Sequence, residues 1–128
     1  MAIRIVRLGS PRHPKEGLRI GTVRRPPRGV PKAKFAAENW YDVWFPLLAP
    51  SVETMKLGQA AATPAQWTAF ARKYRVEMSA SAPSQTLDVL AALSKTTDFS
   101  VGCYCEDESH CHRSVLRALL TDRGATIV

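Results

Sequence analysis

The sequence predicts a single α/β domain spanning residues 1–128, with a small, mainly parallel sheet flanked by helices. Three observations predict it. The run Phe99 to Cys105 is almost continuously apolar, as in a central strand covered on both faces. Strand and helix patterns alternate through the C-terminal half, which implies βαβ connections. A length of 128 residues with 45% hydrophobic content matches one ordinary domain with a real core.

Ile3 to Leu8 alternates apolar and basic residues and reads as a short strand, which Gly9-Ser10-Pro11 ends. His13 to Gly17 is a turn-rich connection. Leu18 to Val23 is a second strand, with Leu18, Ile20 and Thr22 on one face. Arg24 to Pro31 (RRPPRGVP) is an extended loop, because proline removes backbone donors and fixes φ. Asn39 to Leu48 carries Trp40, Tyr41, Trp44, Phe45 and Leu48; Pro46 interrupts it, leaving a short helix or an irregular core-packing segment. Ser51 caps a helical turn.

The clearest helix runs from Pro64 to Ser79, with Thr63 as its cap and Pro64 at the favoured first position. Its stripe of Trp67, Phe70, Ala71, Tyr74 and Met78 reads as core packing. A second helix covers Ser84 to Ser94. Phe99 to Cys105 is the last substantial strand, placing Phe99, Val101, Cys103 and Cys105 on one face. A helix from Cys111 to Arg123 packs Val115, Leu116, Leu119 and Leu120 inward and stops at Gly124. Ala125 to Val128 is placed as a short closing strand.

The net charge is +7, and its excess is concentrated: ten Lys or Arg lie between Arg4 and Lys34, against one acid, Glu16. Such a segment fits an anionic partner, either nucleic acid or a phosphorylated small ligand. It also fits a solvated face, since it is rich in Pro and Gly and lacks interleaved aromatics that stack on bases. No stretch reaches the roughly 20 apolar residues that span a bilayer, and the N-terminus has no secretory pattern. The expectation is a soluble, cytoplasmic protein with no membrane partner; its oligomeric state is left open.

An odd number of cysteines without an export signal argues against a disulfide framework. Cys103, Cys105 and Cys111 instead fall within nine residues. In open α/β sheets ligands bind beyond the carboxyl ends of strands, and Cys105 to Arg113 (CEDESHCHR) occupies that place. Free N–H groups at the next helix start favour an anion, which Arg113 can grip. The catalytic reading takes Cys111 as nucleophile, Glu106 as general acid or base and His112 as proton shuttle. The plainer alternatives are a solvated loop acid for Glu106, a core contact for His112, and inert buried thiols for Cys103 and Cys105. The spacing fits neither a tyrosine-phosphatase nor a rhodanese-type loop, since seven residues separate Cys105 from Arg113 and one separates Cys111 from it. For metal, Cys103, Cys105, Cys111 and His112 are ligand types. A C-x-C pair on a strand, however, holds its sulfurs roughly 6.5–7 Å apart, wide for one zinc unless the strand bends. No metal ligand and no cofactor is assigned on this reading.

Gly17–Ile20 (GLRI), Arg24–Lys32 (RRPPRGVPK), Pro50-Ser51, Trp67–Met78 (WTAFARKYRVEM) and the CYCEDESHCHRSVL segment together resemble the family catalogued as domain of unknown function 488, which includes YeaO-like proteins. The chain resembles its CHR-containing branch. Val23-Arg24-Arg25-Pro26 stands where YeaO-like members carry an acidic-Arg-Leu-Trp run, so an aspartate and a tryptophan of theirs are missing. The resemblance implies an α/β fold and no established activity. It also implies a cleft: if the strands preceding the two motifs are parallel neighbours, Arg24, Arg28 and Lys32 face Glu106 and Arg113 across it.

Three functional expectations follow. The first is a hydrolase- or transferase-like enzyme on an anionic or nucleotide-like small molecule, with Arg113, Arg24, Arg28 and Lys32 binding it and Glu106, Cys111 and His112 acting on it. The second is a nucleic-acid-binding module built on the basic N-terminal third. The third is a zinc-binding protein.

Overall fold

A computed structural model describes residues 1–128. It is a single α/β domain of four helices and one four-stranded sheet. The strands are β1 (Ile3–Arg7), β2 (Leu18–Gly21), β3 (Val43–Trp44) and β4 (Phe99–Cys103). They run in the order β1-β4-β2-β3, and every pairing is parallel. The register aligns Ile5 with Val101 and Val101 with Ile20. All five residues of β4 are buried, which is why its sequence is an unbroken run of apolar and small residues.

The helices are α1 (Val52–Ala60), α2 (Pro64–Met78), α3 (Ser81–Leu93) and α4 (His112–Asp122). Helix α2 starts with a complete capping box: Thr63 Oγ1 accepts from the Gln66 N–H, and the Gln66 side chain accepts from the Thr63 N–H. Ser51 caps α1, which runs for nine residues where one turn was expected. Helix α3 begins at Ser81 rather than Ser84, because Pro83 sits in the first turn, where its missing N–H has no partner to lose.

Of the two readings of Asn39 to Leu48, the irregular core-packing segment is the one found: Val43–Trp44 pairs as a two-residue edge strand, Pro46–Leu48 makes one 3₁₀ turn, and Tyr41 and Leu48 reach the core. Two further boundaries differ from expectation. Strand β4 ends at Cys103, whose carbonyl accepts from the Leu8 N–H, so Cys105 lies beyond the sheet. The closing strand is reduced to a single parallel bridge between Ile127 and Ile3.

The main core joins Ile3, Phe99 and Val101 of the sheet to Phe70 and Tyr74 of α2, Leu87 of α3 and Leu116 and Leu120 of α4. On the opposite face, Arg19 and Ser100 are fully buried. Arg19 is therefore no surface cation, although it belongs to the basic segment. Its guanidinium donates to Glu16 at 2.5 and 2.8 Å and to the carbonyls of Ser10 and Asn39, and Ser100 Oγ donates to the same Glu16 carboxylate at 2.7 Å. The connection 9–16 thus covers this face where a helix would in a doubly wound sheet. Gly102 closes the β1–β4 contact: a Cβ there would lie 2.6 Å from Leu8 Cδ2. No helix is long and apolar enough to cross a membrane.

Candidate functional site

A cleft of about 1440 Å³ opens at the carboxyl ends of β1, β2 and β4. The topology explains its position. Parallel strands deliver the chain to one edge of the sheet, and β2 and β4 are direct neighbours, so the loop after β2 and the helix start after β4 meet there.

The floor is built from β4 outward. Cys103 is the last strand residue and is buried; after it the chain turns away from the sheet, pinned by Tyr104 Oη donating to the Arg25 carbonyl at 2.8 Å. That bend brings the Cys105 sulfur to 3.8 Å from the Cys103 sulfur, well inside the separation expected on a continuing strand. Asp107 then caps the 3₁₀ turn Glu108–His110. Cys111 follows with extended backbone at the start of α4, its buried sulfur 3.8 Å from His112 Nδ1. A buried hydrophobic cluster of Leu8, Val23 and Tyr41 surrounds Cys103 and Cys111.

His112 is held from two sides. Its Nε2–H donates to the Thr22 carbonyl at 2.8 Å, and the Tyr74 ring meets it edge-on at 5.5 Å. The Thr22 hydroxyl, 3.3 Å from Nε2, spends its own proton on the Gly102 carbonyl. Both Thr22 oxygens therefore face Nε2 as acceptors, which places the proton of a neutral ring on Nε2 and leaves Nδ1 as the nitrogen turned toward Cys111.

The thiols are electrostatically unlike one another. Hydrogen bonds from Cys103 and Cys111, with the Arg113 guanidinium nearby, hold the Cys105 thiol far down, at about 3. The hydrogen bonds of Cys103 to Cys105 and Cys111, together with burial, push Cys103 up. The Cys111 thiol is lowered, chiefly by the hydrogen bond from Cys103. Cys105 is also the one exposed member of the three.

Of the predicted site residues, Arg24, Arg28, Cys111 and His112 line this cleft together. Lys32, Glu106 and Arg113 do not. Lys32 opens an exposed 3₁₀ turn past the loop. Glu106 stands in solvent outside the cleft lining, with its carboxylate 3.5 Å from Arg7. Arg113 is buried beneath the 104–110 loop, where Nη2 donates to the Cys105 carbonyl at 2.6 Å and Nε has no partner. Its geometry is that of a brace under the Cys105 turn. Arg24 is half committed as well, donating to the carbonyls of Ala49 and Pro50.

The cleft also takes residues that the sequence does not mark as ligand-binding, Arg25, Lys56, Trp40 and Trp67, together with Cys105 from the cysteine cluster. Trp67 lies on the apolar stripe of α2 in its first turn, at the margin of the core, where it packs on Phe70 and its ring meets the His110 ring at 5.7 Å. Its position in that first turn is the one sequence signal that could have placed it here.

Fold and site define a single-domain parallel α/β protein with a cysteine–histidine cluster at the strand ends. The chain belongs to the domain of unknown function 488 family: the branch described as the active DUF488-N3 subclade matches residues 3–124. No curated protein and no solved structure matches it significantly.

Proposed function

We propose that the cleft binds an anionic small molecule carrying a flat ring, of nucleotide type, and that the chain is an enzyme of hydrolase or transferase kind acting on it from the strand-end cluster. One observation carries this reading. The cleft lining holds five cationic side chains (Arg7, Arg24, Arg25, Arg28 and Lys56) and no carboxylate, although the chain has eleven acidic residues. A concave surface with a strong excess of one sign focuses the field and concentrates ligands of the other.

Arg25 and Arg28 form no ion pair with the chain, so their charge is free for a ligand. The loop presenting them is stiffened by Pro26 and Pro27, which lowers the entropy lost on binding. Trp40, Trp67 and Tyr104 supply faces on which a ring can stack. Cys105 is the thiol exposed to the cleft and the first of the three that a ligand meets, with Arg113 as a positioning residue under its turn and the Glu106–Arg7 pair holding a rim cation in place.

The test is calorimetric titration of the purified protein with nucleoside monophosphates, unphosphorylated nucleosides and a short oligonucleotide. The reading expects saturable binding of the monophosphates, at least about tenfold tighter than the nucleosides and about tenfold weakened in Arg25→Ala/Arg28→Ala. Binding of the oligonucleotide alone, with a steep salt dependence, would assign the basic segment to nucleic acid instead.

A further inference from the structure

We propose that Cys103, Cys111 and His112 form a zinc site, with the Cys105 sulfur as a fourth ligand that can be displaced from the cleft side.

Three buried ligand atoms are grouped as a coordination sphere requires, and the Cys105 sulfur stands beside that group, next to Cys103. The ligand atoms of Cys103, Cys111 and His112 lie within 4.8 Å of one another, and all three residues are buried. With Zn–S bonds of about 2.3 Å, a tetrahedral site has S···S edges of about 3.8 Å. The Cys103–Cys105 sulfur separation is 3.8 Å, and Cys111 Sγ lies 3.8 Å from His112 Nδ1. The strand bend after Cys103 removes the objection that a C-x-C pair is too wide.

The surroundings supply what a ligating histidine needs. Such a histidine donates its second ring N–H to a backbone carbonyl or carboxylate, which fixes the tautomer and leaves the other nitrogen to the metal. Nε2–H of His112 donates to the Thr22 carbonyl at 2.8 Å, so Nδ1 is the nitrogen left for a metal, and it lies 3.8 Å from Cys111 Sγ. Three thiolates and one imidazole are also a donor set that selects zinc over magnesium or calcium. Binding releases the protons of the thiols to solvent, and the sulfurs stay on the metal as thiolates.

The asymmetry of the fourth ligand comes from exposure. Cys103 and Cys111 are buried, whereas Cys105 is exposed and faces the cleft. A ligand entering the cleft therefore meets Cys105 first and can take its coordination position, with the released Cys105 thiolate taking a proton from solvent; three protein ligands and one exchangeable position remain, the pattern of catalytic zinc. The zinc site stands whether or not the cleft takes a nucleotide, because metal content and nucleotide affinity are separate measurements.

The experiment is elemental analysis of the full chain after gel filtration, followed by cobalt(II) loading of the metal-free protein. The expected result is one zinc per chain and, with cobalt, a thiolate charge-transfer band beside the intense visible bands of a tetrahedral ion. Cys105→Ser is expected to keep the ion while losing about a third of the charge-transfer intensity, one thiolate of three. Cys103→Ser and Cys111→Ser are expected to lose it. A wild-type chain that takes up neither zinc nor cobalt would overturn the site. So would retention in Cys103→Ser, or loss in Cys105→Ser as complete as in Cys103→Ser. If the two buried variants fail to fold, the wild-type cobalt spectrum and the exposed Cys105→Ser variant still decide.

Discussion

Arg19 and Glu16 are the charged side chains taken furthest out of water. Their relative exposures are 0% and 2%, and the guanidinium is satisfied by the carboxylate and by main-chain carbonyls. Removing one partner of a buried pair leaves an uncompensated charge and costs roughly 3–5 kcal/mol. Arg19→Met is therefore expected to lower the urea midpoint sharply, and pairing it with Glu16→Gln should recover part of the loss. Burial raises the Glu16 carboxyl, but the Arg19 and Ser100 hydrogen bonds outweigh it and hold the group at about 2. The stability this confers is complete above the ordinary carboxyl range and is lost as pH falls from there toward 2. Acid titration of unfolding should show that dependence in wild type and lose it in the double variant; an unchanged profile would refute the assignment. Gly102 is a second sensitive position: with Leu8 Cδ2 at 2.6 Å from an added Cβ, Gly102→Ala overpacks the β1–β4 contact at a cost of about 1–3 kcal/mol, readable as a lowered thermal midpoint.

Helix α2 links stability to the cleft, because its capped start carries Trp67. Thr63→Ala removes one half of the capping box, and about 1 kcal/mol of lost stability is expected by denaturant titration. Glu77 near its other end ties α2 to α1, accepting from the Ser51 N–H and from the hydroxyls of Ser51 and Thr54, so that Glu77→Gln should loosen the α1 side of the cleft. Hydrogen exchange in α1 rising above that in α3 would show it. Elements of this kind were legible in the sequence. The α2 cap and stripe, the buried run of β4 and the inward face of α4 are local patterns, and local patterns fix local structure. What was not legible depends on distant partners. The end of β4 is set by Leu8 and Tyr104, the edge strand at Val43 by pairing with Ile20, and the burial of Arg19 by a loop that folds over the sheet. In the same way, Glu106 and Glu108 are neighbours of the cysteines in sequence, yet their carboxylates turn to Arg7 and Arg117.

At the scale of the molecule, the all-parallel topology concentrates chemistry at one edge. Helices α2, α3 and α4 pack on one face, the 9–16 connection and Tyr41 cover the other, and the ends of three strands open into one cationic, carboxylate-free cleft over three thiols and an imidazole. The position of the site at a strand end and helix start was readable from the sequence, whereas its composition required the fold to bring the Arg24–Arg28 loop onto Cys103–His112. The most direct measurement of the central claim uses the three tryptophans. Trp40 and Trp67 line the cleft, whereas the Trp44 indole lies outside its lining and donates to the Val23 carbonyl at 2.8 Å. In a titration with a nucleoside monophosphate followed by NMR, the indole N–H signals of Trp40 and Trp67 should shift saturably while that of Trp44 stays in place. No shift at either cleft tryptophan, or an equal shift at all three, would contradict the account.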